Sequence, residues 1–86
     1  MTALSFRIPL DDGQNRKLRK EFTKRLSERL REIRKAKKLT QQELAEKAGL
    51  HRAYFWDIEN GRNISIKTAY KVARALGVKL SELFDF

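Results

Sequence analysis

The sequence predicts an all-α domain built from five helices. Apolar residues recur at helical spacing over much of the first half of the chain. Three further segments are bounded by a capping residue or a glycine, and a short apolar segment follows them. The 86 residues form one domain, which at this size buries only about 60% of its unfolded surface. Its core is therefore thin, and association of two copies would stabilise it.

An N-terminal arm is predicted ahead of the helices. Residues 4–10 alternate between apolar and polar side chains, a period of two that is typical of extended chain. Pro9 limits this segment to a sheet edge or an arm, and Asp11-Asp12-Gly13 marks a turn. We therefore assign residues 1–14 to an extended or disordered arm and residues 15–86 to the helical domain.

The first helix is predicted to follow the turn, to extend to about Lys37 and to exceed five turns. Its apolar positions are Leu18, Phe22, Leu26, Leu30 and Ile33. Residues 16–38 carry twelve Lys or Arg and three Glu, which accounts for the whole formal net charge of +9. Such a basic helix suits a polyanion, because each neutralised phosphate releases counterions. The alternative is a solvated helix face.

Two short helices hinged at a glycine are predicted next. Thr40 can cap the first of them, and Glu43 can complete a capping box with it. Gly49 lies where that helix must end in a left-handed conformation. In the second helix, Phe55 and Ile58 share one inward face, and the helix stops at the Asn-Gly pair that follows.

Ser65 can cap a fourth helix, which Gly77 ends. Its predicted inward face comprises Ile66, Ala69, Val72, Ala73 and Leu76. Tyr70, like Phe22, is expected to pack in the core. A short fifth helix is predicted over residues 80–84, and the apolar side chains there are expected to form a dimer interface. These interface residues are Leu80, Leu83, Phe84 and Phe86.

The segment from Thr40 to Gly61 resembles the XRE-type helix-turn-helix of Cro and the phage repressors. The family pattern Thr-Gln-x-Glu-Leu-Ala, Gly, Ile-Glu-x-Gly is matched by Thr40 to Ala45, by Gly49 and by Ile58 to Gly61. The similarity extends from about Phe22 to Phe84, and small restriction-modification controller proteins look similar in size and C-terminal tail. The resemblance implies a compact, phage-repressor-like five-helix domain that binds double-stranded DNA.

In such a motif the second helix enters the major groove with its N-terminal residues facing the base edges. The side chains left to face the groove are His51, Arg52, Ala53, Trp56 and Asp57. Arg52 can bind guanine O6 and N7, a contact that contributes about 1–3 kcal/mol of discrimination, or it can contact a phosphate. Asp57 can accept from a cytosine amine, act as a selectivity element or pair with Arg52.

Two of these positions depart from the family pattern. His51 stands where the family has a Ser or Thr cap, so that it either reaches a phosphate or a base or is a simple surface turn residue. Trp56 replaces a small polar residue. Its indole either contacts thymine methyl groups, folds back onto the domain or meets a partner protein.

The resemblance implies that Gln41, at the N-terminus of the first motif helix, binds a backbone phosphate. It also implies an ion pair between Arg34 and Glu59 that orients the first and third helices. The neighbours expected to share the phosphate contacts are Thr40, Gln42, Tyr54, Asn60, Arg62 and Asn63.

Catalytic, metal-binding and cofactor-binding motifs are not found in the sequence. There is no cysteine, a single histidine and no glycine-rich phosphate loop, and Asp57 and Glu59 are two apart on a helix and so point away from each other. No apolar run approaches the roughly 20 residues that span a bilayer. We expect a cytoplasmic protein that is not an enzyme and needs no metal or cofactor.

The leading hypothesis is a sequence-specific transcription regulator, a repressor or controller protein, that binds a palindromic operator as a homodimer. The alternative is an antitoxin or adaptor that binds a protein partner and regulates its own synthesis through DNA binding. Its interaction surfaces would be the N-terminal arm and Trp56.

Overall fold

A computed structural model describes residues 12–86, and this range contains five α-helices. They are α1 (Asp12–Ala36), α2 (Gln41–Ala48), α3 (Arg52–Glu59), α4 (Ile66–Leu76) and α5 (Leu80–Leu83). The predicted all-α fold with five helices is therefore confirmed for the described residues. The predicted arm falls mostly on residues 1–11, which lie outside the described range. No helix in the described part of the chain is both long and apolar enough to cross a membrane.

Helix α1 begins earlier than predicted. It starts at Asp12, so residues 12 and 13 of the expected turn and residues 12–14 of the predicted arm are helical instead. Arg34 and Lys35 lie in the last turn of α1, near the negative end of the helix dipole. Most of the residues in α1 are strong helix formers.

The N-terminal part of α1 projects beyond the core. Residues 13–22 are exposed, and burial begins only at Thr23 and Leu26. The prediction that Phe22 packs in the core is wrong, because 43% of it is exposed, and Leu18 is half-exposed as well. The helical spacing correctly identified the apolar face of α1. Among the described residues, however, no other element covers the N-terminal part of this face completely.

The turns around α2 follow the local chemistry. The Glu43 N–H donates to the Thr40 hydroxyl at 3.0 Å, and the Thr40 N–H donates to the Glu43 carboxylate at 2.8 Å, which forms the predicted capping box. Gly49 has φ of 72° and ends α2 in the left-handed region as expected. The preceding turn, after α1, uses Lys38 at φ of 59° without a glycine.

The core lies where α2, α3 and α4 meet the second half of α1. Phe55 and Ile58 are fully buried at its centre, as predicted. Small residues on α2 and α4 line the contact between these two helices and allow close packing. These small buried residues are Ala45, Ala48, Ala69 and Ala73.

Three apolar positions near the C-terminus differ from expectation. Leu83 is only 1% exposed and belongs to the core of the single chain, so its side chain is not available to the predicted dimer interface. Tyr70 is half-exposed rather than packed in the core, with the Arg74 guanidinium 6.0 Å from its ring centroid. Ile66, at the first residue of α4, is exposed, so the inward face of this helix begins at Ala69.

A buried carboxylate joins three helices. The Glu59 side chain, at the end of α3, is fully buried, and Arg34 of α1 binds it in a bidentate fashion. Arg34 Nε donates to Oε2 at 2.6 Å and Nη2 donates to Oε1 at 3.1 Å. Gln41, the first residue of α2, donates its Nε2 to Oε1 at 2.8 Å. Arg34 also donates to the Leu39 carbonyl at 2.8 Å, which fixes the turn between α1 and α2.

Arg31 completes this cluster from the solvent side. It donates to the backbone carbonyl of Glu59, and its Nε lies 3.9 Å from the carboxylate. Every buried side-chain nitrogen or oxygen within residues 13–86 has a hydrogen-bond partner. The cluster is therefore satisfied, as a buried charge must be to avoid a large desolvation penalty.

Acid should remove the contribution of Glu43 to stability. The hydrogen bond from the Thr40 backbone N–H, followed by that with the Thr40 side chain, lowers the pKa of Glu43 in the folded protein. A lowered folded-state pKa stabilises the fold at neutral pH, and this contribution is lost as the pH falls through that pKa. In urea titrations, Glu43→Gln should be less stable than wild type at neutral pH, and the difference should close in acid. A difference independent of pH would contradict this origin.

Loss of Arg34 should destabilise the fold strongly. In Arg34→Ala the buried Glu59 carboxylate loses its bidentate partner, and the free energy of unfolding should fall by about 3–5 kcal/mol. Glu32→Ala is the matched control, because it removes only the exposed 2.6 Å ion pair with Arg29. That pair should contribute less than about 1 kcal/mol. Equal urea midpoints for the two variants, followed by circular dichroism, would show that the buried pair does not support the fold.

Candidate DNA-binding surface

Helix α3 presents a polar and aromatic surface on the side opposite its buried residues. Arg52, Ala53 and Trp56 are exposed there, and Asp57 is partly exposed. Together with Gln41, at the N-terminus of α2, these four residues line one shallow depression. Four of the five residues predicted to read bases are thus brought to a single surface, next to the residue predicted to lead the phosphate contacts.

Gln41 has a role that sequence reasoning missed. Its amide nitrogen is bound to the Glu59 carboxylate, so the side chain is held in a fixed position beside the first turn of α2. The unpaired backbone N–H groups of that turn favour an anion. The buried cluster therefore orients both the N-terminus of α2 and the exposed face of α3.

Asp57 does not pair with Arg52. Its carboxylate accepts from Arg62 Nη1 at 3.3 Å instead, so the alternative of an Arg52 partner is wrong in this structure. The Arg62 backbone N–H also donates to the Asp57 carbonyl at 3.0 Å. The Arg62 guanidinium lies 4.9 Å from the Tyr54 ring centroid, within the range of a cation–π interaction. Arg62 is thus positioned beside the C-terminal end of α3, and among residues 13–86 no carboxylate forms an ion pair with Arg52.

The indole of Trp56 points to solvent. It is 54% exposed, so the alternative in which it folds back onto the domain is wrong. The Asn60 side chain donates its Nδ2 to the Trp56 carbonyl at 2.8 Å and so caps the end of α3. His51 precedes α3 as an exposed residue and makes no side-chain capping bond.

Three further positions predicted to contact phosphates do not line this depression. The Thr40 hydroxyl already accepts the capping bond from Glu43, and Gln42 makes a long 3.4 Å hydrogen bond to Glu46 along the outside of α2. Asn63 is exposed in the loop after α3.

The contact of Arg31 with Glu59 was not predicted from the sequence. Arg31 lies three residues before Arg34, which places both side chains on one face of α1.

The chain is similar to known proteins in both sequence and fold. The HTH_3 helix-turn-helix family model matches residues 30–83, well over half of the chain. The crystal structure of the restriction-modification controller protein C.AhdI from Aeromonas hydrophila is similar, with a TM-score of 0.70 and 43% identity. The match covers 72% of this chain and 96% of that protein. The predicted fold is thus shared with a solved controller protein.

Two sequence relatives are similar over the same region. The immunity repressor protein of Bacillus phage phi105 is 49% identical over 59 residues, which are 67% of this chain and 41% of the repressor. Control protein C.BamHI of Bacillus amyloliquefaciens is 43% identical over 61 residues, which are 69% of this chain and 75% of that protein. This chain therefore spans less than half the length of the phage repressor but most of the length of the control protein.

These matches confirm the predicted resemblance and the predicted class, a DNA-binding transcription regulator. The chain belongs to the XRE-type helix-turn-helix family, together with phage repressors and restriction-modification controller proteins.

Proposed function

We propose that this chain regulates transcription by binding a palindromic operator as a homodimer, in the cytoplasm where the DNA of a prokaryotic cell lies. The observation that carries the proposal is the shared surface of Gln41, Arg52, Ala53, Trp56 and Asp57. A phosphate-binding helix start and base-reading side chains lie side by side there, as groove recognition by a helix-turn-helix requires. The two half-sites would be roughly 34 Å apart, about one turn of the duplex.

Within this surface, Arg52 is proposed as the principal base reader. It is exposed in the first turn of α3, the end of the helix that enters the groove. Its planar fork of donors matches the O6 and N7 acceptors of guanine. Ala53 and Trp56 supply apolar surface for a thymine methyl group. Asp57, already paired with Arg62, discourages binding where a phosphate or acceptor would approach it.

Phosphate contacts are proposed on both sides of α3. Gln41 and the first backbone N–H groups of α2 would bind one strand, helped by the helix dipole. Arg62 and Asn63, in the loop after α3, and Tyr54 would bind near the other end. Such contacts position the helix in the groove and carry no sequence information themselves.

The proposed dimer interface is narrower than the one predicted from the sequence. Leu83 is withdrawn from it because this side chain is in the core. Leu80 and Phe84 are partly buried in the single chain, and Phe86 remains half-exposed. The support is this apolar surface at the C-terminal end, together with the thin core of a chain of this size.

Binding-site selection tests the DNA-binding proposal. Wild-type protein should enrich an inverted repeat from a randomised duplex library at physiological salt. Arg52→Ala should relax the preference at one symmetric position and cost about 1–3 kcal/mol at each cognate guanine. Since Arg52 is exposed, the melting temperature of this variant should stay close to that of wild type.

Arg74→Ala serves as the control, because it removes an equally exposed arginine from α4, away from this surface. It should leave the enriched motif unchanged. Enrichment of no motif by the wild-type protein, or the same relaxation in both variants, would overturn the proposed role of Arg52 and of α3.

Sedimentation equilibrium tests the dimer. Wild type should dimerise at micromolar concentration, and Phe86→Glu should weaken dimerisation by at least about tenfold, since it places a charge in an apolar contact. Ile66→Glu is the matched control, with an exposed apolar residue replaced by the same charge on α4. A monomeric wild type, or equal dimerisation of both variants, would contradict this interface.

A further inference from the structure

The N-terminal half of α1 lies beside the loop that follows α3. Arg16, Arg19, Lys20 and Thr23 line a depression together with Gly61 and Asn63. These α1 residues occupy positions i, i+3, i+4 and i+7 along the helix, so they share one face. Gly61 and Asn63 belong to the loop on which the proposed phosphate contacts lie. A basic helix face is therefore continuous with the proposed DNA-binding surface.

From this juxtaposition we propose that the projecting part of α1 is a second phosphate-binding surface, which contacts the operator duplex beyond each half-site. We call Arg16, Arg19 and Lys20 the α1 basic stripe. The inference rests on the proposed function, because it takes the same DNA as its ligand. It extends the contact from the major-groove half-site to the backbone of the flanking duplex.

The charges of the α1 basic stripe are available to a ligand. All three side chains are exposed. Within residues 13–86 they enter none of the ion pairs, whereas Arg29, Arg31, Arg34 and Arg62 are each committed to a carboxylate. Three unpaired cations over fewer than two helical turns form a compact positive surface, which favours a polyanion with regularly spaced charges.

Thr23 makes the face polar without acting as a donor to a ligand. Its hydroxyl donates back to the Arg19 and Lys20 carbonyls at 3.0 and 3.1 Å. The binding contribution is therefore assigned to the three cations and to Asn63 on the other side of the depression. This is the pattern of a site that holds phosphates by charge and reads no base.

The neighbouring face of the same segment, which carries Phe22, is occupied differently. Phe22 stacks on Phe84, with ring centroids 5.9 Å apart, and lies 5.7 Å from the Phe86 ring. This aromatic cluster braces the projecting helix against the C-terminal tail. The α1 basic stripe therefore remains on the side of the loop after α3, beside the proposed DNA-binding surface.

The test uses the operator recovered by binding-site selection, in two lengths. One duplex ends at the half-sites, and the other carries flanks of about ten base pairs, roughly one turn, on each side. The stripe variant is Arg16→Gln/Arg19→Gln/Lys20→Gln. The matched control, Arg25→Gln/Lys71→Gln/Arg74→Gln, removes the same charge from exposed positions that do not line this depression. Glutamine preserves helix propensity, so both variants should have nearly the same melting temperature as wild type.

The stripe variant should bind the long duplex at least about tenfold more weakly than the control, since it leaves several phosphates of the flanking duplex without a cation. Its slope of log affinity against log salt should be less steep by about 0.9 for each phosphate that is no longer neutralised. On the short duplex the two variants should bind alike. Equal affinity and slope of the two variants on the long duplex would overturn the inference.

The two proposals fail in different ways. If the stripe proposal alone is wrong, wild type still enriches an operator and Arg52→Ala still weakens binding to both duplex lengths. If the proposed function is wrong, wild type enriches no operator and there is no pair of duplexes to compare.

Discussion

The buried carboxylate of Glu59 is the point on which the geometry of this domain depends. A charge removed from water is costly unless partners compensate it, and here α1 supplies Arg34 and α2 supplies Gln41. A pair of this kind contributes little net stability compared with apolar packing, but its directionality restricts how helices can be arranged. The end of α3 is thereby fixed to the start of α2. The start of α2 and the helix α3, both of which would meet DNA, are therefore positioned by the same group.

Helix caps and core burial determine the length of α2 and the orientation of α3. The capping box at Thr40 and the left-handed Gly49 set the length of α2, while burial of Phe55 and Ile58 sets the rotation of α3 about its axis. Once that rotation is fixed, Arg52 and Trp56 must face solvent. The exposed surface is therefore a consequence of the core, and substitutions on it can alter recognition with little effect on the fold.

The boundaries of α2, α3 and α4 could be predicted because caps and glycines act within a few residues of themselves, whereas the start of α1 at Asp12 was not predicted. Burial was harder to predict, since Tyr70 and Phe22 match the helical period and yet have no complete opposing surface. Leu83 was predicted to lie at the surface, in a dimer interface, but it is buried. Only the packing of the helices against one another shows that this side chain lies in the core. In the candidate site, the place of Arg52 followed from the motif, whereas the pairing of Asp57 with a loop arginine depends on tertiary structure.

Helix α1 is long enough for its N-terminal part to extend beyond the core. A helix nucleated by its packed C-terminal half can extend N-terminally at little further cost, because propagation adds a hydrogen bond for each residue ordered. Residues 13–22 use this to project from the core, and Phe22 braces them against Phe84. This contact fixes the orientation of the segment, so that the α1 basic stripe lies beside the loop after α3. Like-charged residues gathered there repel one another, so a polyanion on this face would relieve a repulsion that the folded domain otherwise carries.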